Sequence, residues 1–391
     1  LPIGAKNTTQ EIQAVVDAYS KISALANVTA SGTITAALSA AEFAALGLSV
    51  IDSATEVTLM NAYLDTSAAS AVDSASELAA LAAAVAKLAA TAAVTPPGAL
   101  PSDGLTVADL AALGINGVTP DNLTTVLAFI ANSANDASGV ASKTALQALV
   151  DLAAAQALKD AAATQLSLYD GTGASPTRNQ YSDAGVVGVD LSNRDTVNSI
   201  LAALTPAQSD TTAELQAIVD SVAKIRLLAD STAANMAGSA LTTNDFAAIG
   251  LGTIDSAAEI ALFNAILDSS AISAVDSASE LAEISRIVQA IMATAAGLTP
   301  SPALSPADFA LIGVPGVDAE NLSATLALIA ATADNGSGVD SLTKLIAIQS
   351  AGQAAAAIEQ AMRVISSYDG NNQAPVLSTY ATAGITGVTL S

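Results

Sequence analysis

The chain has 391 residues, enough for several domains, and 52% of them are apolar, enough for a folded core. It carries 36 acidic and 12 basic residues, which gives a net charge of −24, and it contains no Cys, His or Trp. The lack of Cys and His excludes a disulfide framework, a thiol nucleophile, a zinc–thiolate site and a Ser-His-Asp triad. Because this net charge repels phosphate groups, we expect no nucleic-acid partner.

Two long stretches of the chain repeat each other. The sequence AVDSASELA occurs at residues 71–79 and again at 274–282, an offset of 203 residues. Farther along the chain the offset is 199, as in YSDAGVVGVDLS from Tyr181 and YATAGITGVTLS from Tyr380. The change of offset falls between Val94 and Asp109, where Pro and Gly predict an exposed loop that tolerates a change of length.

A shorter repeat lies within each long one. Glycines that follow a short apolar segment recur at intervals of 63 to 71 residues, at Gly47, Gly114, Gly185, Gly250, Gly313 and Gly384. This period predicts tandem units. The predicted boundaries are the tail of a preceding unit at 1–7, helical units at 8–73, 74–141, 142–210, 211–276 and 277–340, and an incomplete sixth unit at 341–391. Since both ends align with the interior of a unit, we expect the native array to be longer.

The first predicted helix of a unit begins at a capping box, in which Ser or Thr is followed three residues later by Glu. The pairs are Thr8 with Glu11, Ser74 with Glu77, Thr211 with Glu214, and Ser277 with Glu280. The apolar residues that follow have helical spacing and predict one buried stripe. The stripe is Ile12, Val15, Tyr19 and Ile22 in the first unit and Leu78, Leu81, Val85 and Leu88 in the second.

The second predicted helix of a unit is short, carries one large apolar anchor and ends at the recurring glycine, which suits a left-handed C-cap. The anchors are Phe43, Leu110, Tyr181, Phe246, Phe309 and Tyr380. The third predicted helix begins at a further cap, such as Ser53 with Glu56 or Ser256 with Glu259. Because no stretch has the pattern of a β-strand, the predicted fold is all-α, a linear array of three-helix bundles.

The Ala-rich run at residues 78–94 resembles a membrane span in length. It contains Lys87, and Ala is only weakly apolar, so we expect no membrane insertion in this segment.

The acidic residues are the first candidates for chemistry. Ten of them stand in the fourth position of a predicted cap: Glu11, Glu42, Glu56, Glu77, Asp109, Glu214, Asp245, Glu259, Glu280 and Asp308. Paired carboxylates could serve acid–base catalysis or metal binding. A carboxylate in this position instead binds free backbone N–H groups of the first helical turn, and its recurrence in unit after unit favours capping. We therefore predict no catalytic residue and no cofactor.

Loops rich in oxygen ligands leave calcium open as a weaker prediction. The candidate ligands are Asp170, Asp183, Asp334, Asp340 and Asp369. None of these loops has the spacing of an EF-hand, and Asp-Gly or Asn-Gly pairs after a helix are also typical of simple turns.

Three segments carry a resemblance: TVADLAALGINGVTPDNLTTVLAFIA, YSDAGVVGVDLSNRDTVNSILAAL and TTAELQAIVDSVAKI. They resemble the tandem repeats of very large bacterial surface proteins of the adhesin, surface-layer or matrix type. The three-helix unit is also similar in outline to the small GA-type albumin-binding modules. The resemblance implies an extracellular location at the bacterial surface, and adjacent repeats of the same or neighbouring chains as partners.

Two functions follow from this resemblance. The first is a structural segment, such as an adhesin stalk, a surface layer or an extracellular filament. The alternative is a protein-binding three-helix module that recognises a surface protein of a host or neighbouring cell. A surface protein or a polysaccharide is therefore a further candidate partner. A binding module should carry an exposed aromatic or apolar patch in particular units, and the few aromatic residues nearly all occupy helix anchors. We therefore favour the structural segment. We predict that it is not an enzyme, because no constellation is present in one unit and absent from its copies.

Overall fold

The computed structural model describes residues 8–26, 37–93, 104–133, 138–229, 240–371 and 373–389. These residues form seventeen α-helices and no β-strand, which confirms the all-α prediction. The predicted tail at 1–7 and most of the loop predicted between Val94 and Asp109 lie outside the described residues.

The chain divides into two compact units, Leu1–Lys159 and Asp160–Ser391. The first contains the helices α1 (Thr9–Leu25), α2 (Ala40–Ala45), α3 (Ala54–Asp65), α4 (Ala75–Ala92), α5 (Val107–Ala112) and α6 (Leu123–Ala131), and the larger part of α7 (Lys143–Ser167). The boundary between the two units falls within α7.

The second compact unit contains the end of α7 and ten further helices. They are α8 (Arg178–Asp183), α9 (Arg194–Ala203), α10 (Thr212–Leu228), α11 (Thr243–Ala248), α12 (Ala257–Ser269), α13 (Ala278–Ala295), α14 (Pro306–Leu311), α15 (Leu322–Ala330), α16 (Leu342–Ser366) and α17 (Leu377–Thr382).

Helix lengths follow a regular order along the described chain. A long helix of 17 to 25 residues precedes a six-residue helix, and a helix of 9 to 13 residues comes third. The long helices are α1, α4, α7, α10, α13 and α16, and the six-residue helices come directly after them.

In each compact unit at least one helix of this third kind packs against more than one long helix. In the first compact unit, α3 packs against α1 and against α4. In the second, α9 packs against α10 and α13, and α12 packs against α10, α13 and α16. The helices α3, α9 and α12 therefore each link long helices that are consecutive in the chain.

The anchors of the short helices lie in the core. Phe43, Tyr181, Phe246 and Phe309 are at most 1% exposed, and the rings of Phe246 and Phe263 meet edge to face with centroids 4.9 Å apart. Tyr380 in α17 is only half-buried.

The predicted apolar stripes are confirmed in α4 and partly wrong in α1. All four predicted residues of α4 are buried. In α1, Ile22 is 1% exposed, but Ile12 and Tyr19 are 50% and 38% exposed. Their side chains have the expected helical spacing, but the described residues do not cover the N-terminal half of this face.

By length and composition alone, α4 could cross a membrane, and it is the one described helix that meets this test. Half of its apolar window is buried inside the protein, as expected for a core helix.

Candidate functional site

The acidic residues predicted as caps close capping boxes in the structure. All ten bind the backbone N–H of their Ser or Thr partner, whose side chain in turn accepts the N–H of the acidic residue. At α10, Thr211 N–H donates to Glu214 Oε2 at 3.1 Å and Glu214 N–H donates to Thr211 Oγ1 at 3.2 Å. Each of these carboxylates thus accepts a hydrogen bond from the backbone at a helix N-terminus.

Four of the short-helix caps also bind a cation from the preceding long helix. Lys21 Nζ lies 2.6 Å from Glu42 Oε1. The equivalent pairs are Lys87 with Asp109 at 2.8 Å, Lys224 with Asp245 at 2.7 Å, and Arg286 with Asp308. Where the third residue of the short helix is Gln180 or Thr379 instead of an acid, no such ion pair is present among the described residues. The cation and the acidic cap therefore occur together.

These ion pairs shift the pKa of the carboxyl groups. Burial alone raises the pKa of Asp245, but hydrogen bonds from Lys224 and Thr242 outweigh it, so the pKa is lowered overall. The hydrogen bond from Lys21 is the main reason why the pKa of Glu42 is lowered. Both groups are charged at neutral pH and hold the short helix against the long one.

The C-terminus of each short helix is closed by the recurring glycine. Gly185 has a φ of 78°, which a side chain disfavours, and its N–H binds Ser182 O at 2.9 Å. The next N–H, of Val186, binds Tyr181 O at 2.9 Å, which completes a Schellman motif. The same bond from the residue after the glycine to the anchor residue occurs at all six short helices.

A second glycine follows three residues later in four places. We call these four segments, 114–117, 185–188, 313–316 and 384–387, the junction loops. In the first three, an Asn at the start of the next helix donates its side-chain N–H to the carbonyl of the second glycine, as Asn193 does to Gly188 O at 2.8 Å. The first three junction loops therefore share the same hydrogen bond to the start of the next helix.

A Gln from the following long helix binds the residue before the second glycine. Val187 N–H donates to Gln216 Oε1 at 2.9 Å, and Gln216 Nε2 donates to Val187 O at 3.1 Å and to Asp220 Oδ1 at 2.8 Å. Asn116 is bound in the same way by Gln147, at 2.9 and 3.0 Å. We call this two-bond contact the Gln clamp.

An open groove of about 470 Å³ lies beside the first of these clamps. Gly114, Asn116, Lys143, Gln147 and Asp151 line it, and its charged groups are Lys143 and Asp151. The groove holds no pair of carboxylates for acid–base work, and the side-chain amide of Gln147 already binds the backbone of Asn116.

No family model, curated protein or solved structure matches this chain. The geometry of the helix junctions is therefore what indicates function.

Asp183 is the last residue of α8, and the other four candidate calcium ligands lie in the loops that follow α7, α15 and α16. Asp170 Oδ1 accepts from Thr172 N–H at 2.9 Å, Asp340 Oδ1 pairs with Lys344 Nζ at 2.6 Å, and Asp369 Oδ1 accepts from Asn371 N–H at 2.9 Å. Asp183 and Asp334 are exposed. Among the residues that the structure describes, no group of three or more acidic side chains could hold a metal ion. Calcium binding stays a prediction.

Sequence reasoning missed the Gln clamps and the ion pairs of the short helices. Both have a signal in the sequence. The clamping residues Gln147 and Gln216 each lie five residues after the N-cap of their helix. The cations Lys21, Lys87 and Lys224 each lie thirteen residues after the N-cap. The signal becomes visible only when the repeats are aligned on their capping boxes.

Proposed function

We propose that this chain is a structural segment of a large secreted bacterial surface protein, in which six three-helix repeats, the last incomplete, stack in sequence. The contact that carries the proposal is the Gln clamp, because it ties the loop of one predicted repeat to the long helix of the next by backbone recognition. Such contacts make each repeat part of its neighbour's support.

The packing of the third helices supports the same organisation. Each contacts its own long helix or the long helix of the next repeat, and α9 and α12 also contact the long helix of the repeat after that. The hydroxyl of Tyr63 in α3 binds Val140 O at 3.2 Å, just before α7, which is the equivalent contact in the first compact unit. These contacts support an organisation in which neighbouring repeats hold each other in place, as a stalk or a surface layer requires.

The polar groups support a structural role. Capping boxes use the ten predicted acids, and the Asn and Gln amides bind backbone of loops. The remaining surface is strongly acidic, since the net charge is −24, and this charge favours solubility of a long secreted array.

Stretching of the single chain between its ends tests the repeat organisation. We expect several successive unfolding steps, and a repeat of about 67 residues releases about 240 Å of chain when fully extended. Phe246→Ala is the matched variant, and it should weaken the steps of its own region while leaving the others unchanged. One all-or-none release of the whole chain contradicts the proposal.

Capture of surface proteins and polysaccharides by the immobilised chain tests the functional part. A structural segment should retain no component specifically. Saturable binding of one protein or polysaccharide, lost when an exposed helix face is substituted, favours the binding module instead.

A further inference from the structure

The chain contains two Asn-Gly pairs, Asn116-Gly117 and Asn335-Gly336. In such a pair the backbone nitrogen of the glycine can attack the side-chain carbon Cγ of the Asn and expel ammonia, because glycine has no Cβ that shields its nitrogen. This reaction is one reason why Asn counts among the thermolabile residues. The two pairs have different environments in the fold.

The environment of Asn335-Gly336 restrains both reacting groups. Gly336 N–H donates to Ala333 O at 3.1 Å, and Asn335 Oδ1 accepts from Ser337 N–H at 3.1 Å. Gly336 is buried, and a Cβ built on it would lie 2.6 Å from Met292 Sδ, so α13 packs directly against this glycine. The nitrogen can therefore attack only after the loop opens locally.

Neither reacting group of Asn116-Gly117 is restrained in this way. Both residues are exposed, and apart from the chain neighbours of Gly117 no atom lies within 4 Å of a Cβ built on it. Among the described residues, no acceptor binds Gly117 N–H and no hydrogen bond holds the side chain of Asn116. The attacking nitrogen and the side-chain amide are thus both accessible to water in the folded chain.

Asn116 is also the residue that the first Gln clamp holds. Gln147 binds its N–H and its carbonyl, and Asn122 Nδ2 donates to Gly117 O at 2.9 Å. The equivalents of Asn116 in the other junction loops, none of which has a side-chain amide, are Val187, Pro315 and Thr386. A reaction at Asn116 therefore changes one junction and leaves the others as they are.

We propose that Asn116-Gly117 is a site of spontaneous deamidation, and that this reaction releases the first Gln clamp. The Gly117 nitrogen forms a bond to Asn116 Cγ, the bond from Cγ to Nδ2 breaks, and the proton of the Gly117 N–H leaves through water with the departing ammonia. The product of this step is a cyclic succinimide. Water then opens the ring at one of its two carbonyl carbons, which yields aspartate or isoaspartate.

The isoaspartate product is the one that changes the junction. Its main chain runs through Cγ, which inserts a methylene group between residues 116 and 117 and turns the former main-chain carbonyl into a carboxylate. The N–H of residue 116 and the carbonyl of Gly117 are then farther apart along the chain, so Gln147 and Asn122 cannot keep both of their bonds. The new carboxylate also lies at the groove that contains Asp151, which has the same charge. The inference goes beyond the structural role, because it makes one junction sensitive to time and pH.

Ageing of the full chain, folded and in urea, tests the selectivity. Both samples are kept in a mildly alkaline buffer, in which the attacking nitrogen loses its proton more readily. Peptide mapping by mass spectrometry follows each Asn, and electron-transfer fragmentation separates isoaspartate from aspartate. In urea the two sites should convert at similar rates. Folding should slow Asn335 at least about tenfold more than Asn116, because only Asn335 needs a local opening. Equal slowing of the two sites overturns the proposal.

Hydrogen exchange at the amide of residue 116 tests the release of the clamp. In the fraction that contains isoaspartate, this amide should exchange at least about tenfold faster than in fresh protein, and the Val187 amide should be unchanged. Exchange at residue 116 that is as slow in this fraction as in fresh protein overturns the release.

Two variants give the matched controls. Asn116→Val copies Val187, which keeps both bonds of its clamp and has no side-chain amide to lose, so its exchange should not change on ageing. Asn116→Asp supplies the other product with an unaltered main chain and should retain slow exchange. An equal acceleration in aged Asn116→Val overturns the proposal, since it assigns the loosening to a process other than deamidation.

Discussion

The helices α1 and α10 share their length, their N-terminal cap and their ion pair, but they differ in what packs against them. Both have 17 residues, a Thr–Glu capping box and a Lys that binds the acidic cap of the next helix. In α10 the N-terminal half of the apolar face is buried, and in α1 it is exposed. The difference shows that the apolar pattern of such a helix indicates which face can pack against a neighbour. Burial itself depends on whether that neighbour is there.

The largest expected difference comes from a charge on this face. Val219→Asp places a carboxylate in a covered site and should cost about 3–5 kcal/mol of unfolding free energy. Val16→Asp should change it by less than about 0.5 kcal/mol, because the side chain is already half exposed. Urea unfolding followed by circular dichroism measures both. Equal losses from the two substitutions contradict the comparison.

The anchors of the short helices give a second comparison, between the buried ring of Phe246 in α11 and the half-buried ring of Tyr380 in α17. Phe246→Ala removes a fully buried ring and should cost about 3–5 kcal/mol. Tyr380→Ala removes a half-buried ring and should cost about 1 kcal/mol. Thermal unfolding of the two variants checks the order. A stability of Phe246→Ala like that of the wild type shows that its ring is not packed as described.

The Gln clamp should matter only where its loop is present. Gln216→Ala loses two bonds to Val187 and should cost about 1–2 kcal/mol. Gln13→Ala should be neutral to within about 0.3 kcal/mol, because among the described residues Gln13 binds no loop backbone. Hydrogen exchange at the Val187 amide gives a local readout, which should accelerate in the first variant. Unchanged exchange there refutes the clamp.

The ion pairs are common to both helices. Removing either one should cause the smallest loss of unfolding free energy among these predictions, and the loss should be similar in α1 and α10. Since the pKa values of Asp245 and Glu42 are lowered in the folded state, their contribution is present above the unfolded-state pKa and is lost as pH falls through the folded-state value. Stability should therefore decline below about pH 4. Lys224→Met and Lys21→Met should each cost about 0.5–1 kcal/mol at pH 7 and progressively less in acid. A cost that does not depend on pH rules out the ionic contribution.

Much of the local structure could be predicted from sequence. The bonds of a capping box join residues three apart, as in Thr211 and Glu214. The bond that closes a glycine C-cap joins residues five apart, as in Val186 and Tyr181 on either side of Gly185, so both features are visible in a short stretch of sequence. The all-α class followed from the same periodicity.

The contacts between helices could not be predicted in the same way. Gln216 and Val187 are 29 residues apart, and Lys224 and Asp245 are 21 apart, so only the folded chain brings them together. The prediction that Ile12 and Tyr19 are buried was wrong for a related reason. Their spacing defines a face of α1, but it does not contain the element that covers that face.

Pro315 gives the junction loops a further consequence. It has no N–H, so it cannot supply one bond of a clamp, and the following helix has Ile346 where α7 and α10 have Gln. Gln353 Nε2 binds Gly316 O at 3.1 Å instead. Each of the first three junction loops therefore fits the long helix that follows it: a residue with a backbone N–H is followed by a helix with Gln, and Pro315 is followed by a helix with Ile346. A recombination that joined α10 to loop 313–316 would leave Gln216 facing a proline ring, whereas duplication or loss of a whole 199- or 203-residue block keeps every match. In the proposed repeat organisation, the length of the array can therefore change during evolution in steps of the long repeat without breaking a junction.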